Sequence, residues 1–216
     1  MVIAIPTIRQ PQRRLRVLKR LRLLDLIHQN VHRKLTFICA PAGYGKTTLL
    51  IDFSEDTNFT TCWYQIDSSD IGLPQFFRHL LVSVREKYPG FGVELEQISF
   101  QRTAINPRGL AAELINEFIA KINDFTLLIF DDYHIVSENI EIISFVEYLL
   151  EILPDHIRIV IGSRSVYGIP TASLYVNEEL AIINADDLRF RASEVRDLAR
   201  KHFQIRLTNK QADEII

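Results

Sequence analysis

The stretch that most constrains this chain is Ala40-Pro41-Ala42-Gly43-Tyr44-Gly45-Lys46-Thr47-Thr48. It follows the apolar run Leu35-Thr36-Phe37-Ile38-Cys39 and opens into Leu49-Leu50-Ile51-Asp52-Phe53. A buried strand, a glycine-bearing loop and a helix start are the context of a phosphate-binding P-loop. Small residues let the backbone curl so that successive N–H groups point inward, and the helix that follows adds its positive end. Lys46 is then expected to meet the outer phosphates, and the Thr47 hydroxyl to ligate Mg2+. All nine residues, Ala40 to Thr48, are candidate nucleotide contacts. Ala40 stands where the strict pattern has glycine, a mild departure.

The second constraint is Thr126-Leu127-Leu128-Ile129-Phe130-Asp131-Asp132. Its apolar core predicts a strand buried on both faces, as in a parallel sheet. Two acids at the end of such a strand are costly unless a cation or a reaction uses them. Paired with the P-loop this reads as a Walker B strand, with Asp131 holding Mg2+ through water and Asp132 orienting or deprotonating the attacking water. The plain alternative is a strand running into an acidic turn. Ile157-Arg158-Ile159-Val160-Ile161-Gly162 predicts another core strand, ending at Ser163-Arg164. Arg164 is a candidate γ-phosphate sensor; a solvated arginine after a strand is the other reading.

Between the two Walker strands, Thr60–Ile66 is rich in β-branched and aromatic residues and predicts an additional strand. That places the chain with ATPases that use a catalytic acid rather than with simple nucleotide kinases. Leu180-Ala181-Ile182-Ile183 predicts a last short strand. The expected fold is an α/β P-loop NTPase with a parallel five-stranded sheet, order 5-1-4-3-2, covered by helices on both faces. Helices are expected after Pro74, from Asn106-Pro107 to Asn123-Asp124, and near Asn139–Ile152. Tyr88 to Arg102, with Pro89, Gly90 and Gly92, reads as an irregular connection. Asp67 and Asp70 read as turn and cap residues rather than metal ligands.

Between Arg9 and Lys34 lie nine Lys/Arg and a single acid, Asp25. Leu15, Leu18, Leu21, Leu24 and Ile27 recur every third residue, which predicts an amphipathic helix. Its basic face is either solvated or in contact with phosphates. No aromatic is interleaved, which disfavours a stacking surface for single strands. The net charge of −2 gives no global affinity for nucleic acid or an anionic membrane. No apolar run is long enough to span a bilayer, and Met1–Pro6 is too short for a signal-peptide core. Cys39 and Cys62 sit in apolar strands without metal-ligand spacing, as buried thiols do in a cytoplasmic protein. Near the end, Ser193 is expected to cap a helix and Thr208-Asn209-Lys210-Gln211 to open another. The domain reading is therefore 1–34, a basic leading segment and helix; 35–190, the ATPase domain; and 191–216, the start of a helical, winged-helix-like domain cut short.

These residues carry a family resemblance. The loop at Ala40–Thr48 resembles that of the MalT-type transcriptional regulators, LuxR-type proteins within the STAND class of signalling ATPases. Leu128-Ile129-Phe130-Asp131-Asp132-Tyr133-His134 resembles their second motif and Ile161-Gly162-Ser163-Arg164 their third. Asp186-Asp187-Leu188-Arg189-Phe190 resembles a segment after their last sheet strand, and Trp63-Tyr64-Gln65-Ile66-Asp67 with Asp70 also fits. The likeness runs from about residue 13 onward. It implies an ATP-dependent, slowly hydrolysing switch, nucleotide-dependent self-association, and DNA binding only through a domain absent from this chain. An ATPase acting mechanically on nucleic acid, such as a clamp loader or helicase-like motor, is the alternative. A scaffold with a degenerate site is disfavoured because every chemical position is intact.

Overall fold

The computed structural model describes residues 10–13, 17–101, 106–169 and 171–216. A five-stranded sheet runs β2-β3-β4-β1-β5, with every neighbouring pair parallel. The strands are β1 (Leu35–Cys39), β2 (Thr60–Gln65), β3 (Thr126–Asp131), β4 (Ile157–Ser163) and β5 (Leu180–Ile183). Read from the other edge this is the expected order. β3 shows why the sheet has two covered faces. Leu128 and Phe130 join a cluster containing Tyr64, Phe76, Leu114 and Phe145, whereas Leu127 and Ile129 join one containing Leu24, Leu50, Phe53 and Trp63. Strand side chains alternate in direction, so an uninterrupted apolar run needs a core on each side.

The first cluster packs the sheet against α3 (Leu73–Arg85), α5 (Pro107–Lys121) and α6 (Ile140–Glu151). The second packs it against α1 (Leu21–Asn30) and α2 (Lys46–Asp56). The remaining helices are α4 (Val93–Gln101), α7 (Thr171–Val176), α8 (Ala185–Leu188), α9 (Ala192–Phe203) and α10 (Asn209–Asp213). Helix starts follow local chemistry. The Asn106 carboxamide accepts from the Arg108 N–H, and Asn139 accepts from Glu141 and Ile142. Thr208 and Gln211 form the expected capping box.

Four expectations need correction. α1 begins at Leu21, and residues 17–20 are not helical; Arg9, Arg14, Leu15 and Arg16 lie outside the described residues. The leucine spacing overreads the helix because Arg20 leaves helical geometry, at φ −95° and ψ 83°, to bind distant groups. Second, the connection from Tyr88 to Arg102 contains α4. Gly90 and Gly92 turn the chain at positive φ, and the Gly92 carbonyl accepts from Glu96 at 2.9 Å to start a helix. Third, Ser193 is not the cap of α9: Arg191 is, with Glu194 accepting from the Arg191 N–H at 2.9 Å. Fourth, Asp67 and Asp70 make the expected turn, Asp67 accepting from Ser69 at 2.7 Å and Asp70 from the Asp67 N–H at 2.9 Å. Asp70 caps no helix, however: it is buried and meets His79 Nδ1 at 2.5 Å, and Gly72 is the cap.

The basic segment is also less solvated than its composition suggests. Lys19 pairs with Asp56, Arg22 with Glu194 and Lys34 with Glu179. Arg20 donates to the Leu188 and Arg189 carbonyls at 2.7 and 2.6 Å and to both oxygens of Glu194. Its guanidinium also lies over the Phe190 ring, 4.3 Å from the centroid. These cations hold the molecule together.

Candidate functional site

The P-loop leaves β1, which lies between β4 and β5, and its Ala40 N–H extends the pairing by donating to the Ser163 carbonyl at 3.2 Å. Ala40 is buried in the second cluster, so its methyl group fills space that a glycine would leave empty. Gly43 at φ +87° and Gly45 at φ +81° supply the left-handed turns that the curl requires. Gly45 is the N-cap of α2, so Lys46 is the first helical residue and the loop's N–H groups end on a helix start.

Lys46 is buried and its Nζ donates to the Ala40 and Pro41 carbonyls at 2.7 and 3.0 Å. Burial lowers its pKa, opposed by the charges of Asp132 and Asp131 and reinforced by Arg164. Asp131 ends β3 without solvent exposure. One oxygen, Oδ1, accepts from the Asp132 N–H at 3.0 Å, and the other, Oδ2, is buried with no hydrogen-bond partner among the described residues. Burial pushes this carboxyl up to about 6, against the nearby Thr47 hydroxyl, which favours ionisation. Glycine at 162 makes the room: a Cβ there would come within 2.8 Å of Asp131 Oδ1 and 2.9 Å of Leu50 Cδ1.

Asp132 adopts left-handed geometry, φ 59° and ψ 35°, uncommon for a residue with a side chain. Such a conformation costs on the order of 1–3 kcal/mol and persists where neighbours over-determine it. Here the Asp131 carboxylate holds the backbone, and Gln65 Nε2 donates to Asp132 Oδ2 at 2.9 Å. His134 Nδ1 lies 3.7 Å from the other Asp132 oxygen, too far for a hydrogen bond. Its imidazole pKa is lowered, by burial first and then by Arg164.

A cavity of about 420 Å³ joins these parts. Ala42, Gly43, Gly45, Lys46 and Thr47 line one part of it with Asp132 and Arg164. Arg164 follows the end of β4 and is exposed, so the expected position at the same sheet edge is where it stands. Thr48 and Ile51 of α2 continue the lining, and Pro11, Gln12 and Arg13 close it. Asp131 lies beneath the lining, against Thr47. Ala40 and Pro41 contribute carbonyls to Lys46, and Tyr44 packs its ring against the second cluster; none of the three is part of the cavity wall.

Four participants escape a linear reading. Gln65 reaches Asp132 only because β2 lies beside β3 in register, Gln65 opposite Asp131. Arg13 reaches the cavity through an ion pair with Asp52 of α2. Pro11 and Gln12 come with it. Their only signal in the sequence is a basic residue close to a proline ahead of the P-loop strand.

The orphaned Asp131 oxygen, beside a hydroxyl and a lysine, is a donor set of hard oxygens suited to a hydrated Mg2+. The rest of the cavity presents N–H groups and cations to an anion. Among the described residues no group of three or more His, Cys, Asp or Glu could hold a metal by itself, so such an ion would share its shell with water or ligand oxygen. Cys39 and Cys62 are free thiols, and burial pushes Cys62 up to about 12. No helix among the described residues is long and apolar enough to cross a membrane.

No family model matches the chain. It is 30% identical over 185 residues to the HTH-type transcriptional regulator MalT of Vibrio parahaemolyticus, covering 86% of this chain and 20% of that protein. It is also 30% identical over 191 residues to the serine/threonine-protein kinase PknK of Mycobacterium tuberculosis, covering 87% and 17%. The chain therefore spans no more than about a fifth of the length of the curated relatives it matches. Among solved structures it superposes on a STAND protein with a tetratricopeptide repeat sensor from Pyrococcus horikoshii with a TM-score of 0.62 at 16% identity, covering 95% of this chain and 28% of that one. It superposes on the Walker-type ATPase of Pyrococcus abyssi with a TM-score of 0.56 at 10% identity, covering 96% and 65%. The fold is that of P-loop NTPases, and the sequence is MalT-like over most of the chain.

Proposed function

We propose that this MalT-like P-loop domain is the nucleotide-dependent switch of a transcriptional regulator, binding Mg2+-ATP and hydrolysing it slowly. One observation carries the reading: Asp131 is wholly buried beneath the P-loop with one carboxylate oxygen unpartnered, beside Thr47 and Lys46. A buried carboxylate left unsatisfied is unfavourable unless a ligand completes it.

In this reading the N–H groups from Ala42 to Thr48 receive the phosphates, and Lys46 turns from the Ala40 and Pro41 carbonyls to the outer phosphate oxygens. Mg2+, held by Thr47 and through water by Asp131, would neutralise phosphate charge. Asp132, with one oxygen on Gln65, keeps the other to orient a water molecule. Arg164 stabilises the charge that gathers on the γ-phosphate as its bond to the β-phosphate breaks. Slow turnover suits a switch because the ATP state must outlast the signal it reports. Nucleotide-dependent self-association, and DNA binding by another part of a longer protein, follow from the same likeness. We place the domain boundary near residue 190, with α9 and α10 opening a helical domain.

The motor alternative loses support from the basic segment, since Arg13, Lys19, Arg20, Arg22 and Lys34 all have internal carboxylate partners. Titration calorimetry and phosphate release test the proposal on wild type, Lys46→Ala and Asp132→Asn. Lys46→Ala is expected to weaken ATP binding at least tenfold. Asp132→Asn should bind normally and lose about 10²-fold or more in turnover; asparagine tolerates the left-handed backbone, so the fold is kept. Wild-type ATP affinity in Lys46→Ala would end the phosphate assignment, and full turnover in Asp132→Asn would end that of the water-orienting acid.

A further inference from the structure

Part of the cavity wall, Pro11, Gln12 and Arg13, is built by a stretch of chain that belongs to no element of the sheet. Asp52 lies six residues along α2 from Lys46, which at ~1.5 Å per residue is ~9 Å from the helix start. Asp52 is 3% exposed, and its carboxylate is taken up by the Arg13 guanidinium, through Nε and, at 3.4 Å, through Nη2. Arg13 Nη2 also donates to the Val17 carbonyl at 3.4 Å. Two residues along the helix, the Ser54 hydroxyl donates to the Gln10 side chain at 3.0 Å. Two side-chain links thus pin residues 10–13 along α2, and between them Pro11 and Gln12 line the cavity together with Thr48 and Ile51.

We infer that Arg13, anchored on Asp52, is the residue that sets the nucleoside subsite: it positions the Pro11–Arg13 strap as the wall against which the base and ribose of a nucleoside triphosphate lie. This rests on the nucleotide reading given above. The chemistry of this part differs from that of the loop. Asp52 already neutralises Arg13, so the pair offers position rather than attraction for phosphate. Proline and isoleucine offer apolar surface to a ring, and the Gln12 amide offers both a donor and an acceptor to a base edge. Ordering the strap before the ligand arrives spares the ligand that entropy on binding.

The test separates the two parts of the cavity with two probes, magnesium ATP and magnesium tripolyphosphate, titrated calorimetrically. The double variant Arg13→Gln/Asp52→Asn keeps net charge constant while removing the ion pair. It is expected to weaken ATP binding about tenfold and to leave tripolyphosphate affinity at the wild-type value. Arg13→Lys, which can still pair with Asp52, should recover most of the ATP affinity. Equal losses for both probes, or unchanged ATP affinity, would overturn the assignment of Arg13 while leaving the phosphate site standing. Failure of the wild type to bind either probe would overturn the nucleotide reading, and this inference with it.

Discussion

At the scale of single residues, Asp131 is where burial and chemistry oppose each other. Its carboxyl, ordinarily near 3.8, is raised to about 6 by loss of water. The native chain then holds that proton more tightly than the unfolded chain does, so the contribution to stability is present below about pH 4 and is lost as pH rises through 6. Two units at about 1.4 kcal/mol each put the deficit near 3 kcal/mol, an upper figure. In chelator and without nucleotide, Asp131→Asn should therefore be more stable than wild type at pH 8 by about 2–3 kcal/mol, the gain shrinking toward pH 4. Urea melts of both proteins at the two pH values measure it; a gain that does not change with pH would mean that the carboxylate is not under strain. Such a gain in the variant is what a ligand-binding residue produces, since stability is given up for a group that a cation later satisfies.

At the scale of elements, what could be read from the sequence was what local chemistry dictates. The core strands, the Asn106 cap, the helix start near Asn139 and the capping box at Thr208 depend on neighbours within a few residues, and each stands where expected. α4 was hidden because the turn signals at Pro89, Gly90 and Gly92 outweighed a short helical pattern after them. Gln65 and Arg13 were hidden for another reason: their partners lie 67 and 39 positions away and meet them only after the sheet has formed. The basic residues that composition assigns to water fail in the same way, Arg20 reaching groups 168 and more positions distant. The caps can be ranked. Asn139 accepts two N–H groups of α6 and donates to the Ile71 carbonyl at 2.8 Å, tying α6 to the loop before α3. Asn106 accepts one N–H. Asn139→Ala should cost about 1.5–2 kcal/mol in denaturant melts and Asn106→Ala about 1 or less; equal costs would mean that the Ile71 bond adds nothing.

At the scale of the whole molecule, Arg20 joins the leading segment to the chain that follows β5. It is largely buried, satisfies two carbonyls and both oxygens of Glu194, and lies on the Phe190 ring. Glu194 is correspondingly easier to ionise than usual: burial opposes this, and Arg20 and the Arg191 N–H outweigh it. The same leading segment lines the cavity at Pro11–Arg13 and binds the start of α9 through Arg20. Arg20→Met should raise amide exchange across residues 186–203 by about tenfold or more while leaving β1, β3 and β4 protected. Hydrogen exchange read by mass spectrometry resolves this, and uniform loss of protection across the sheet would instead mark Arg20 as a general support.

Lys46, bound to the carbonyls of its own loop, has a further consequence. On the proposed reading, the charge that would meet a guest already serves its host, keeping the cradle curled with its own ammonium as placeholder. Phosphate arriving there would enter a swap, not a vacant seat: two carbonyls would have to release the lysine and find water or ligand instead. The affinity would then be a small difference between two well-satisfied arrangements, and a modest change in the surrounding chain would suffice to tip the loop from holding itself to holding a nucleotide.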